Sequence, residues 1–306
     1  MSGCHTGATA NRPTIQAMND LHRPVLEWYD QHARELPWRS ESASPWSVMV
    51  SEFMLQQTPV ARVLPVHEVW LERWPSPAAL ATDTAGEAVR MWGRLGYPRR
   101  ALRLHAAAMV IVAGHGGEVP AAYADLLALP GVGDYTAAAI ASFAFTQRHV
   151  VLDTNVRRVL GRAVSGNEFP SSSVTRAERE IGAGLLPDDP PTAANWAVAV
   201  MELGALVCTA RDPQCSRCPI AQQCAWLTAG RPPYDGPPRR GQAWDGTDRQ
   251  CRGRIMAVLR DAEGHVDRSR LETTWHDAAQ RDRCLAGLVA DGLLVPAGAA
   301  AYSLPM

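Results

Sequence analysis

The sequence predicts an all-α core followed by a small C-terminal winged-helix-like α+β domain, and three observations predict it. Apolar residues recur at spacings of three and four, as in Leu102, Ala106, Met109, Val110 and Ala113, the period of one helix face. Little of the chain alternates with period two, so strands are scarce before the C-terminal end. The helical pattern runs from Ile15 to about Gly230 and is broken at Pro37, Pro45, Pro59, Pro75, Pro130 and Pro170, where proline and glycine punctuate helices.

Taken in order, residues 1–13 read as a disordered tail and 14–230 as the helical core. Residues 231–252 carry Pro232, Pro233, Pro237, Pro238, Gly236, Gly241 and Gly246, a linker composition. Beyond it, 253–259 reads as a helix, 269–273 as a short one and 277–291 as a longer one. Residues 292–296 and 301–304 suit a two-stranded terminal ribbon. Three helices and a hairpin fit a winged helix, and a small packing domain without a ligand fits equally.

Composition narrows the class. The chain has 306 residues, 46% hydrophobic and 20% charged, which is ordinary globular composition and excludes wholesale disorder. No apolar run reaches the roughly 18 residues of a membrane span. A basic region followed by an apolar one is missing from the N-terminal residues, so secretion is not signalled. A cytoplasmic protein is expected. A formal net charge of −1 leaves any polyanion to a local patch. All 30 residues of the Lys+Arg total are arginine. Without an ε-amine, no lysine can form a Schiff base.

Four of the seven cysteines crowd together as Cys208, Cys215, Cys218 and Cys224, a C-x6-C-x2-C-x5-C spacing. Thiolates are soft ligands, and four suit tetrahedral zinc or a [4Fe–4S] cluster. Zinc ribbons pair two C-x2-C knuckles across a longer gap. One such pair inside a single compact loop fits a cube better.

Three further features carry chemistry. Leu129-Pro130-Gly131-Val132-Gly133 separates two expected helices at 121–128 and 134–145. Glycines around one valine permit a tight turn with amides exposed at a helix start, where a phosphate binds; a plain helix–turn–helix connection reads the same way. Asp153 precedes a helix carrying Val156, Val159, Leu160 and Ala163, as an N-cap does. Glu52 shares a helical face with Val48, Met49 and Leu55. Ionisation on an apolar stripe is unfavourable, so its pKa is expected to rise toward that of an acid useful near neutral pH. Pairing with a buried arginine is the alternative.

Together these residues resemble the helix–hairpin–helix DNA glycosylases with an iron–sulfur cluster, the endonuclease III superfamily, over about 20–228. The cysteine spacing and LPGVGDYTA (129–137) carry that resemblance. LPWR (36–39), SEFMLQQT (51–58) and LDTNVRRVL (152–160) resemble the adenine DNA glycosylase branch. The resemblance implies two helical subdomains with a [4Fe–4S] loop held by Cys208, Cys215, Cys218 and Cys224. It implies that Glu52 protonates adenine, Asp153 stabilises the developing cationic sugar and Asn155 supports Asp153. Tyr135 falls where bifunctional relatives keep a catalytic lysine. Gln56, Gln57 and Thr58 match the segment that probes the opposite base and fills the gap. Leu95 and Tyr97 match the wedge, and Gly131, Val132 and Gly133 the DNA-binding hairpin.

The implied protein is a monofunctional, monomeric base-excision glycosylase acting on double-stranded DNA that contains an adenine mispair. It removes adenine opposite 8-oxoguanine or G and leaves an abasic site. A thymine or oxidised-pyrimidine glycosylase of the same fold, or a non-enzymatic iron–sulfur DNA-binding regulator, is the alternative. Two arginine groups, Arg90, Arg94, Arg99, Arg100 and Arg103 and then Arg148, Arg157, Arg158 and Arg162, are expected to track phosphates. The chain departs from the family twice. Residues 253–306 are too few for the Nudix-like domain that reads 8-oxoguanine in many members, and Pro98 replaces an aromatic in the wedge.

Overall fold

Proline and short polar side chains set the helix starts. The chain runs through α1 (His22–His32), a 3-10 turn at Pro37–Arg39 and α2 (Pro45–Leu55). Then follow α3 (Val60–Arg73), α4 (Pro77–Ala81), α5 (Ala85–Trp92), α6 (Arg99–Gly114), α7 (Tyr123–Ala128) and α8 (Asp134–Phe145). Next come α9 (Thr154–Ala163), α10 (Arg176–Gly184), α11 (Pro190–Leu206) and α12 (Ala225–Thr228). This computed structural model describes residues 21–237, 244–298 and 300–306. The expected tail at 1–13 and part of the expected linker, 238–243, lie outside the described residues.

Ser44 and Pro45 show how a start is encoded. The Ser44 hydroxyl accepts from the Ser47 amide at 3.1 Å, and Pro45 occupies the first helical position, where its missing N–H has no partner to lose. At the expected hairpin, the first helix begins at Tyr123 and the second spans Asp134–Phe145 as read from the sequence.

The C-terminal domain comprises α13 (Asp248–Asp261), β1 (Val266–Asp267), α14 (Arg268–Glu272), α15 (Ala278–Ala290), β2 (Val295–Pro296) and β3 (Ala301–Ser303). Its first helix starts at Asp248 rather than 253, because Thr247 caps it by accepting from the Gln250 amide at 3.3 Å. The expected ribbon is an antiparallel sheet of three strands ordered β1-β3-β2, with Val266 opposite Tyr302 and Val295 opposite Ser303. A two-residue strand carries no alternation to read, so β1 left no trace in the sequence pattern.

The fold divides into two compact units: Glu35–Phe145 with Pro237–Met306, and 21–34 with Thr146–Gly236. In the first, α2 is buried on every side from Trp46 to Met54 and packs along α8. Trp70 meets Trp74 and Trp92 edge to face, at 4.6 and 5.7 Å. Leu259, Leu288 and Leu304 join this same core. Gly86 in α5 makes that junction possible, since a Cβ there would fall 2.3 Å from the Pro305 carbonyl oxygen. Arg90 Nη1 donates to the carbonyls of Arg260 and Ala262.

The second unit is built around α1, α9 and α11. Gly204 in α11 lies against Asn155, 2.7 Å from its Cβ to where a Cβ of its own would sit. Glu202, fully buried, accepts from Arg34 Nε at 2.6 Å and Nη2 at 2.7 Å. Removing one partner of such a pair leaves a buried uncompensated charge, a loss of about 3–5 kcal/mol. Arg34→Ala is therefore expected to lower the unfolding free energy by that amount, read from urea denaturation. Arg34→Leu combined with Glu202→Leu should recover most of it, and the two denaturation curves measure both effects.

Candidate functional site

Glu52 lies in the last turns of α2 and is 5% exposed. It is the one ionisable side chain of that helix. Beyond the helix end the chain turns sharply. Gln57 is exposed with φ of 57°, a left-handed conformation that a non-glycine residue holds only where its surroundings enforce it. Gln56 Nε2 reaches the Thr136 hydroxyl in α8 at 3.4 Å. Thr58 is buried, and its Oγ1 donates to the Leu95 carbonyl at 3.1 Å.

Arg100 holds this turn together. Its Nη1 donates to the carbonyls of Phe53 at 3.0 Å, Met54 at 3.1 Å and Gln56, and its Nη2 to Thr58 Oγ1 at 3.0 Å and the Gly96 carbonyl at 2.9 Å. The guanidinium also lies over the rings of Trp92 and Tyr97. Burial pulls its pKa down to about 10, still fully charged near neutral pH. Arg100 is thus not a phosphate contact, contrary to the sequence expectation. Leu95 is buried and Tyr97 is exposed at φ 48°.

The hairpin sits in the same unit. Gly131 has φ of 82°, and a Cβ there would lie 2.7 Å from Arg103 Cβ and 3.0 Å from the Phe53 ring. Glycine is required for the turn and for the close approach alike. Val132 is buried, while open space surrounds Gly133. Tyr135 follows in the first turn of α8, half-buried. Glu52, Gln56, Gln57, Thr58, Leu95, Tyr97, the hairpin and Tyr135 therefore share one unit. Asp153, Asn155 and the four cysteines share the other.

Asp153 caps α9, accepting from the Val156 amide at 2.6 Å on one oxygen and from Asn155 Nδ2 at 2.7 Å on the other. Burial raises its pKa, and the Val156 and Asn155 amides, the Asn155 side chain and the Arg158 charge pull it back. The helix start expected to keep Asp153 ionised is thus opposed by desolvation. Arg158 Nη2 donates to Asn155 Oδ1 at 2.8 Å and the Gly204 carbonyl at 2.6 Å, and its Nε to the Cys208 carbonyl at 2.7 Å. The path Asp153–Asn155–Arg158–Cys208 ties the carboxylate to the cysteine loop.

Three of the four arginines in the second expected phosphate group are turned inward as well. Arg157, Arg158 and Arg162 are all buried. Arg157 pairs with Glu178 at 2.9 Å, and Arg162 donates to the Glu168 and Thr209 carbonyls at 2.9 and 2.7 Å. Arg148 donates to the carbonyls of Leu186 and Pro187. Helix periodicity showed which residues are arginines on α9 but not that neighbouring carbonyls would absorb them.

Cys208, Cys215, Cys218 and Cys224 line one pocket with Arg162, Val207 and Trp226. Arg162 Nη1 donates to Cys208 Sγ at 3.3 Å and stacks over Trp226. Burial pushes the Cys218 thiol up to about 12 and raises Cys224 as well, so thiolates form there with a strongly positive group as partner. Among the described residues no three His, Cys, Asp or Glu side chains are placed to hold a single metal ion. Four soft sulfurs lining one pocket suit the thiolate ligation of an iron–sulfur cluster.

The fold and this loop define a helix–hairpin–helix DNA repair protein with an iron–sulfur site. The HhH-GPD superfamily of base excision DNA repair proteins matches residues 50–183, and the iron–sulfur binding domain of endonuclease III matches 208–224. An adenine DNA glycosylase of Mycobacterium tuberculosis is 53% identical over 92% of this chain and 92% of its own length. One of Mycolicibacterium smegmatis is 49% identical over 88% and 91%. The structure of a thermostable thymine-DNA glycosylase, 23% identical, superposes with a TM-score of 0.62 over 70% of this chain and 98% of its own, a likeness of fold. The chain belongs to the adenine DNA glycosylase family.

It is accordingly an iron–sulfur protein, and Cys208, Cys215, Cys218 and Cys224, all within the matched domain, are the residues that would hold the [4Fe–4S] cluster. A bound cluster would pin the loop that carries the Cys208 carbonyl. Cys218→Ser should lose iron and acid-labile sulfide, lose brown colour and melt at lower temperature. Iron analysis with visible absorption checks this, and full activity in a colourless zinc-loaded protein would contradict it.

Proposed function

We propose that this chain removes adenine mispaired with 8-oxoguanine or G from duplex DNA, as a monomer, and stops at the abasic site. The observation that carries the reading is Glu52, a carboxyl buried in the apolar helix α2. Burial among apolar side chains disfavours the charged form of a carboxyl, which suits a group that has to bring a proton to the base. The sequence identity to adenine DNA glycosylases supports the choice of base.

A base within a duplex must first leave the stack. Gln56 and Gln57 fill the space it vacates while buried Thr58 holds their turn, exposed Tyr97 acts as the wedge with Leu95 anchoring that turn in the core, and the Gly131-Val132-Gly133 turn grips the backbone. Glu52 gives its proton to the adenine ring. The N-glycosidic bond breaks with its electron pair going to the departing base. The sugar becomes cationic at C1′, and ionised Asp153 stabilises that charge. Water adds hydroxide to C1′ and releases its second proton to a carboxylate. Asn155 orients Asp153, and Arg158 acts through Asn155 as a positioning residue. One neutral and one ionised carboxyl is a recurring division of labour.

Base release from duplexes with A opposite 8-oxoguanine, G, C or T tests the reading. Release of thymine or an oxidised pyrimidine, and not adenine, would overturn it. Glu52→Gln should bind duplex normally and release base at least about 100-fold more slowly. Asp153→Asn should slow release about as much while keeping the cap, since Asn caps as well as Asp. A raised folded pKa means Asp153 destabilises the fold once ionised. Asp153→Asn should therefore be at least as stable as the parent near pH 7, and any gain should vanish as pH falls through the folded pKa. Thermal melts across pH read this.

The sequence encodes no lysine, and the Tyr135 phenol cannot form an imine. Borohydride should trap little protein–DNA adduct, and strand breaks should need added alkali. Efficient trapping after the N-terminal amine is blocked would show a lyase.

A further inference from the structure

Beside Gln56 and Gln57 runs an open groove of about 1190 Å³ whose two walls come from different parts of the chain. One wall is the start of α6 with the turn before it, and the other is α13 of the C-terminal domain. Both belong to the same compact unit, with Gly86 seated on Leu304 and Pro305 and Arg90 bonded to the end of α13. The groove's geometry is therefore built into the fold.

Its chemistry is one-sided. Nine of the lining residues are arginines and one, Asp291, is acidic. Asp291 is engaged by Arg99 at 3.2 Å and by Arg252, and Arg100 is turned inward to carbonyls. Arg94, Arg103 and Arg254 are exposed and have no carboxylate partner among the described residues. Arg249 is exposed on α13, its guanidinium 5.0 Å from the Tyr97 ring and 5.4 Å from Trp244. Those two rings are 41% and 50% exposed, so the groove presents cations and aromatic faces together. Such a surface suits a nucleic-acid backbone.

The helix that a winged helix conventionally places in a DNA groove does not offer this. On α15, Arg281 is buried and donates to the Glu272 carbonyl, and Arg283 pairs with Asp248 at 2.9 Å. Acids neutralise that face, whereas on the first helix Arg249 and Arg254 are exposed toward the groove and Arg254 has no carboxylate partner among the described residues.

We propose that the C-terminal domain is a second DNA-binding surface, in which Arg249 and Arg254 of α13 hold backbone phosphates of the duplex beside the Gln56–Thr58 turn. The assignment rests on the reading of the chain as a duplex-acting glycosylase and extends it to the C-terminal domain. Phosphate contacts of this kind add affinity for every sequence and leave the bond-breaking step alone.

The test uses the full-length, cluster-loaded protein and a labelled duplex, with or without A opposite 8-oxoguanine, titrated across salt concentrations. Arg249→Gln with Arg254→Gln is expected to weaken binding to both duplexes. The slope of log K against log salt should become shallower by about 0.9 for each phosphate released. Single-turnover base release at saturating enzyme should stay as in the parent. Arg249→Lys with Arg254→Lys, which keeps charge but not the planar stacking, should restore the slope, and a merely structural role would not be restored. An unchanged slope in the Gln variant would overturn the proposal, as would an equal change in Arg283→Gln on α15. If the parent released no adenine, the catalytic reading would fall, while the salt slope would still decide the groove.

Discussion

A guanidinium without a carboxylate partner holds the end of the helix that carries Glu52. Arg100 is buried, yet it gathers the last carbonyls of α2, the Thr58 hydroxyl and the Gly96 carbonyl. Those carbonyls end a helix, where partial negative charge accumulates and a cation is favoured. The turn that follows depends on this capture. Gln57 stays in its left-handed conformation because the residues on both sides of it are bonded to one planar fork. Without that fork, the helix end and the turn would have nothing rigid to share. Arg158 does the same work in the other unit, joining Asn155, the Gly204 carbonyl and the cysteine loop.

Both cases turn on the difference between arginine and lysine. A guanidinium offers five donors in one plane, stays charged when buried and meets several carbonyls at once. The chain uses arginine for every one of its basic side chains. Several of those on α9 lie in the interior: Arg157 with Glu178, Arg158 with carbonyls, Arg162 with carbonyls and the Cys208 sulfur. A count of positive residues along the chain therefore overstates the surface available to phosphates. In the groove between α6 and α13, by contrast, Arg94, Arg103, Arg249 and Arg254 stay exposed.

The two carboxyls of the proposed chemistry are prepared by different means. Glu52 is buried within an apolar helix that is covered on every side. Asp153 is held by hydrogen bonds from Val156 and Asn155 while burial works against its charge. Gly204 enters here as well, because any side chain on α11 at that point would displace Asn155 and with it the carboxylate. A small residue far along the chain thus sets the orientation of a group beside the helix start.

Much of this protein was legible in its sequence because much of it is local. The cysteine spacing, the Leu129–Gly133 hairpin, the Asp153 cap and the helix spanning Asp134–Phe145 are each written within a few residues, through dihedral preference, capping and ligand spacing. Tertiary structure decided the rest. Arg34 and Glu202 are 168 residues apart, and Arg90 lies 172 from Ala262, so no local pattern announces either contact. The short strand β1 exists only because β3 is there to pair with it. The C-terminal domain joins the core of Glu35–Phe145 through Gly86 and Leu304, although the intervening chain, Thr146–Gly236, belongs to the other unit. Burial is the physical reason. Whether an arginine meets phosphate, carboxylate or carbonyl depends on what packs over it, and that is fixed by residues distant in sequence.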